Sequence, residues 1–140
     1  MSDPNATLEA IKASLAAAMP LRRVQRSLPP DPLALPADDL RAGVVCLVSE
    51  GGGDFANYLG REGELGHLQA SLVGFVAVEE DTEPVAIEQA ELALLRDLLA
   101  WCNTHAPMAD VQDVLPQDFT QSKQLEHPYG WLILKLDIRF

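Results

Sequence analysis

The last ten residues, WLILKLDIRF, constrain the fold of this chain more than any other stretch. Leu132, Leu134, Leu136, Ile138 and Phe140 take every second position, and Trp131, Ile133, Lys135, Asp137 and Arg139 fill the places between. Successive side chains of a strand point to opposite faces, so the spacing predicts a strand over Trp131–Phe140 with one wholly apolar face turned to a core. Its other face mixes apolar and charged groups, which suits either solvent or a contact surface. The preceding LEHPYG reads as the turn into it, with Pro128 favouring extended backbone before it and Gly130 permitting a sharp bend. A single strand buries nothing, so the chain must supply neighbouring strands and a covering layer.

The covering layer is legible. In EEDTEP, Asp81 or Thr82 is placed to cap free amides, Pro84 fits a first helical turn, and the clustered acids suit the positive end of a helix dipole. The helix is expected to run to Asn103. Its apolar residues make two adjoining stripes, Ile87, Ala90, Leu94, Leu98 and Trp101 beside Leu92, Leu95, Leu99 and Cys102. That width exceeds one amphipathic face, so the helix should cover a sheet and also meet a second element, either the first helix or another subunit. The first helix follows from Leu8, Ile11, Leu15 and Met19, with Asn5 or Thr7 as cap and Pro20 as stop.

Between the helices lie the remaining strands. PLRRVQRSL is read as a short strand exposing Arg22, Arg23 and Arg26, and PPDPLALP as an extended loop of polyproline character. Ala42–Ser49, AGVVCLVS, has the continuous apolar, β-branched run of a strand covered on both faces. EGGGDFANYLGREGELG carries six glycines and reads as a long hairpin or loop. His67–Val78 is the next strand, with Leu72, Val76 and Val78 on one side and Val73, Phe75 and Ala77 on the other; Gly74 marks a bulge or a close backbone approach. ADVQDVLPQDF has strand spacing at Val111 and Val114, cut short by Pro116 at a sheet edge. Grouped strands flanked by two helices predict one α+β domain over residues 1–140, a mainly antiparallel sheet with both helices packed on one face.

Twenty-one acidic against ten basic side chains leave a formal net charge of -11, which opposes direct binding to nucleic acid or to anionic membranes. No apolar run approaches the ~18 residues of a membrane span, and the N-terminal segment lacks the basic and apolar regions of a secretion signal. Cys46 and Cys102 stand far apart in apolar surroundings, which fits buried free thiols in a reducing cytoplasm.

Chemistry-bearing patterns are few. Gly51–Gly53 lack the lysine and hydroxyl residue of a phosphate loop and are followed by Asp54, which would repel phosphate. Glu79, Glu80, Asp81 and Glu83 are explained by the helix start they precede. Glu126, His127 and Tyr129 form the one group with a chemical alternative, a small cytoplasmic ligand-binding domain or enzyme, which would need a concave pocket holding all three side chains and a further polar group. A metal site there would need ligands beyond Glu126 and His127. The reading is therefore of a non-enzymatic chain without catalytic, metal or cofactor-binding residues.

The order of these segments, TLEAIKASL, LRRVQRSL, GVVCLVSEG, FANYLGREGELGHLQASLVGFVAV, IEQAELALLRDLLAWC and the strand after LEHPYGW, resembles the tail-terminator and minor tail proteins of phages and prophages. The resemblance spans nearly the whole chain and is one of order and texture. It implies a structural subunit that assembles with itself into a ring, commonly a hexamer, caps the tail tube, ends its polymerisation and joins it to the head. The implied partners are the major tail-tube protein and a head-completion protein; the implied setting is the host cytoplasm during assembly and then the virion tail. By position, Arg22, Arg23 and Arg26, Phe55, Tyr58 and Arg61 in the glycine-rich segment, and Lys135, Asp137 and Arg139 are candidate subunit or tube contacts. A solvated strand face explains the last three equally well.

Overall fold

The computed structural model describes residues 3–53, 66–108 and 111–139. The alternating C-terminal segment forms a strand over Tyr129–Arg139, two residues earlier than its apolar pattern requires, and it lies inside a sheet rather than at the edge. In chain order the elements are α1 (Pro4–Ala18), β1 (Arg23–Gln25), α2 (Ala37–Ala42), β2 (Val44–Gly53), β3 (His67–Ala77), α3 (Val85–Thr104), β4 (Asp113–Gln121) and β5 (Tyr129–Arg139). The five strands run β1-β2-β3-β5-β4 across the sheet. The β1–β2 contact is parallel and the others are antiparallel.

Register explains the core. Leu132 stands opposite Gly74, Leu134 opposite Leu72, Leu136 opposite Ala70 and Ile138 opposite Leu68, while Val45 and Leu47 of β2 meet Gly74 and Leu72 from the other side. This face packs against Ile87, Leu94, Leu98 and Trp101 of α3 and Leu8, Ile11 and Leu15 of α1. Both expected helices thus cover one face, and Trp101, at the end of the first stripe of α3, donates its Nε1–H to Ser14 Oγ at 2.9 Å, so α3 meets helix one as well as the sheet. Each fully buried leucine contributes on the order of 1.5–3 kcal/mol. Leu92, in the second stripe, stays 42% exposed.

Several boundaries differ from the sequence reading, each for a local reason. Asp3, rather than Asn5 or Thr7, caps α1, its carboxylate accepting the Asn5 N–H at 2.9 Å. Helix α3 begins at Val85 with no side-chain cap, because the cap position is Pro84, whose ring carries no acceptor; Thr82, two residues earlier, donates its hydroxyl to the Glu79 carbonyl at 2.6 Å. PPDPLALP is not extended throughout: Asp31 accepts the Leu33 N–H at 3.1 Å and starts a 3-10 turn over Pro32–Ala34, and α2 follows directly. Strand β2 continues through the three glycines to Gly53 by way of a bulge between Ser49 and Gly51. Strand β4 is an edge strand but is not cut short at Pro116; a bulge between Pro116 and Phe119 absorbs the missing donor.

Gly74 is not a bulge but a close approach. A Cβ there would stand 2.5 Å from Leu94 Cδ2, and one on Gly130 would stand 2.5 Å from Ile87 Cγ1. These two glycines, on neighbouring strands, form the notch in which α3 rests. Beside Gly130 the carboxyl of Glu91, fully buried, accepts Ser122 Oγ at 2.5 Å and Gln121 Nε2 at 3.2 Å, tying the end of β4 to α3.

Two stability outcomes follow from this docking. Gly74→Val forces a branched side chain into Leu94 and should lower unfolding free energy in urea by about 1–3 kcal/mol; unchanged stability would mean that α3 shifts freely on the sheet. Glu91→Ala leaves Ser122 and Gln121 without their acceptor in a dry site and should cost about 2–4 kcal/mol, with Glu91→Gln retaining most of it.

Candidate assembly interface

The second face of the sheet grades from apolar to charged along the strands. One row holds Val44, Phe75 and Trp131, the next Cys46, Val73 and Ile133, and the next Val48, Ser71 and Lys135. Val44 and Cys46 are fully buried, whereas Val73, Phe75, Trp131 and Ile133 are only half-buried. At the Phe75 end, Leu33 and Leu40 from the α2 region border a hollow of about 470 Å³ with Phe75, Tyr129 and Trp131. At the other end the face becomes polar, with Gln69 opposite Asp137 and His67 opposite Arg139.

The charges of β5 are not equivalent. Lys135 is exposed, as expected of an outward residue. Asp137 is 7% exposed, with its carboxylate held between His67 Nδ1 at 2.8 Å and Arg139 Nε at 3.1 Å. Burial alone would raise the Asp137 pKa; the hydrogen bonds and charges of His67 and Arg139 outweigh it and hold the carboxyl below its ordinary value. Alternation therefore marks the outward face correctly, yet Asp137 is committed within its own chain. Nearby, Glu50 occupies the β2 bulge and its carboxylate accepts Ser71 Oγ at 2.5 Å.

The arginine cluster separates in the same way. Arg22 is not exposed as expected: its guanidinium donates to the Ala42 carbonyl at 2.8 Å and to Asp97 Oδ2 at 2.7 Å, bridging β2's entry to α3. Arg23 is exposed as expected and pairs with Asp39 at 3.2 Å, whereas Arg26 is half-buried by its contact with Glu9 at 3.0 Å. Phe55, Tyr58 and Arg61 lie outside the described residues.

The chemical alternative is only partly assembled. Glu126 and Tyr129 border the hollow together with Asp31, but His127 turns away, its Nε2 3.0 Å from Thr82 Oγ1. With the Thr82 proton on the Glu79 carbonyl, the imidazole N–H is the donor in that contact. Among the described residues no group of three or more His, Cys, Asp or Glu is placed to hold a metal, and no helix is long and apolar enough to cross a membrane. Cys46 and Cys102 are buried free thiols, as expected. Burial pushes the Cys102 thiol up to about 11 and raises Cys46 despite the opposing Gln25 hydrogen bond and Arg23 charge.

Sequence reasoning missed Glu91. It stands within the apolar stripe of α3, between Ala90 and Leu94, and that position was the available signal of burial.

Among the solved structures that match, a chain from the virion of a native gene transfer agent particle aligns at a TM-score of 0.54 and 14% identity, covering 94% of this chain and 92% of that chain. The likeness extends from end to end and shows a shared α+β fold. No family model and no curated protein matches the chain.

The Asp137 geometry fixes a pH dependence. A folded-state pKa below the unfolded one gives stabilisation that is present above about pH 4 and is lost as pH falls through the lower folded value. Asp137→Asn should therefore be less stable than the parent at neutral pH, on the order of 1–2 kcal/mol. Thermal melts should show that gap closing towards about pH 2; a gap independent of pH would mean that shape rather than charge holds the residue.

Proposed function

We propose that the chain is a structural subunit of a phage-type tail: a tail terminator that forms a ring, caps the tail tube, ends its polymerisation and presents a surface to the head. The observation that carries this reading is the end-to-end likeness of fold to a chain built into a virion particle. Segment order, the half-buried second sheet face and the acidic balance agree with it. Half-buried Phe75, Trp131, Val73 and Ile133 are the kind of residues that gain from a partner, with Lys135 and Arg139 at the polar rim. An acidic ring surface repels phosphate and would let a duplex pass without sticking.

In this role the chain acts by shape and stoichiometry and not as an enzyme. Its partners are further copies of itself, the major tail-tube protein and a head-completion protein, met in the host cytoplasm before the finished tail joins the virion. Purified chain should sediment as a closed oligomer, and added to polymerising tail-tube protein it should shorten the tubes and be found at one end by labelled electron microscopy. Tubes of unchanged length, with the chain unbound, would remove the terminator reading.

A further inference from the structure

We propose that copies of the chain join edge to edge, the β1 side of one against the β4 side of the next. The inference rests on the ring reading above and deepens it by naming the surfaces. The sheet order places β1 and β4 at opposite margins. Pro20–Leu28 carries three arginines and no acid, whereas Asp113–Gln121 carries two aspartates and no base. Opposite charge on opposite margins of one molecule is self-complementary only head to tail, the arrangement that closes into rings.

Exposed apolar groups accompany the charges on both sides. Leu21 and Leu28 are 88% and 49% exposed on the β1 side, and Phe119 is 42% exposed on β4. Arg23 and Arg26 each have an acid of their own chain, Asp39 and Glu9, but a guanidinium has five N–H donors and these pairs leave donors for another carboxylate. Arg22, bound to Ala42 and Asp97, takes no part. On the β4 side Arg139 stands opposite Asp113 in the register but gives its Nε to Asp137, and Lys123 follows just beyond the strand.

The contact is made by side chains and not by extending the sheet. Strand β1 has three residues, and β4 is interrupted by Pro116 and a bulge in which Asp118 sits. Neither margin presents the continuous row of donors and acceptors that strand addition needs.

Charge reversal at each margin tests this. Arg23→Glu with Arg26→Glu forms one variant and Asp113→Arg with Asp118→Arg the other, with mass read by light scattering and folding checked by thermal melts. Each variant alone should lose self-association by about tenfold or more, and an equimolar mixture should recover the parental mass with both variants in equal number. Leu28→Ser and Phe119→Ser, which touch no ion pair, repeat the two arms should a reversal fail to fold, and each should also weaken assembly. A parental ring whose mass none of these changes would overturn the edge assignment and leave the ring reading standing. Folded monomeric variants that do not recover on mixing would overturn the pairing of these two margins. A parent that stays monomeric at every concentration would overturn both readings.

Discussion

The seating of α3 in the notch made by Gly74 and Gly130 is the constraint from which the rest of the structure follows. Without side chains at those two points, Leu94 and Ile87 approach the backbone of β3 and β5 directly, and the helix lies close enough for Glu91 to reach Ser122 and Gln121. That carboxyl holds the last residues of β4 and the turn into β5, so one helix fixes the centre of the sheet and one of its margins. Trp101, further along the same helix, fixes α1 through Ser14. On this side the two helices bury the inward residues of β2, β3 and β5, and a hollow of about 570 Å³ opens between the end of α1 and α3 beside Trp101 and Arg22. Among the described residues the opposite face has no comparable cover over Val73 and Ile133, which stay half-buried.

Much of this arrangement was legible because it depends on periodicity. The two-residue repeat of β5, the wide stripe of α3 and the spacing in α1 each predicted the face that is buried. What escaped depended on single hydrogen bonds or on pairs distant in sequence. Asp3 and Asp31 capped turns that propensity alone did not locate, and Pro116 was accommodated by a bulge instead of ending its strand. Arg22 and Asp97 are separated by 75 positions, so nothing local distinguished Arg22 from Arg23. Asp137 was rightly placed on the outward face, but its burial between His67 and Arg139 required the β3–β5 register. Glu126, His127 and Tyr129 are close in sequence and yet divide between the hollow and Thr82.

The outward face thus has two parts with different physics. Around Phe75 and Trp131 the unfilled apolar surface gains from any well-fitting cover. Around His67, Asp137 and Arg139 the groups already satisfy one another across β3 and β5, with the exposed charges of β5 at Lys135 and Arg139. Such a division places accessible apolar surface near one end of the strands and internally paired charges at the other.

The bulge at Pro116 has a further consequence. Open sheet margins carry the hazard that strands of separate chains add to one another without limit, as in cross-β fibres, where each new chain offers the next an identical template. Strand β4 withholds that template at its midpoint, and β1 is too short to offer one. The open sheet is thereby guarded against fibrous growth at both of its margins.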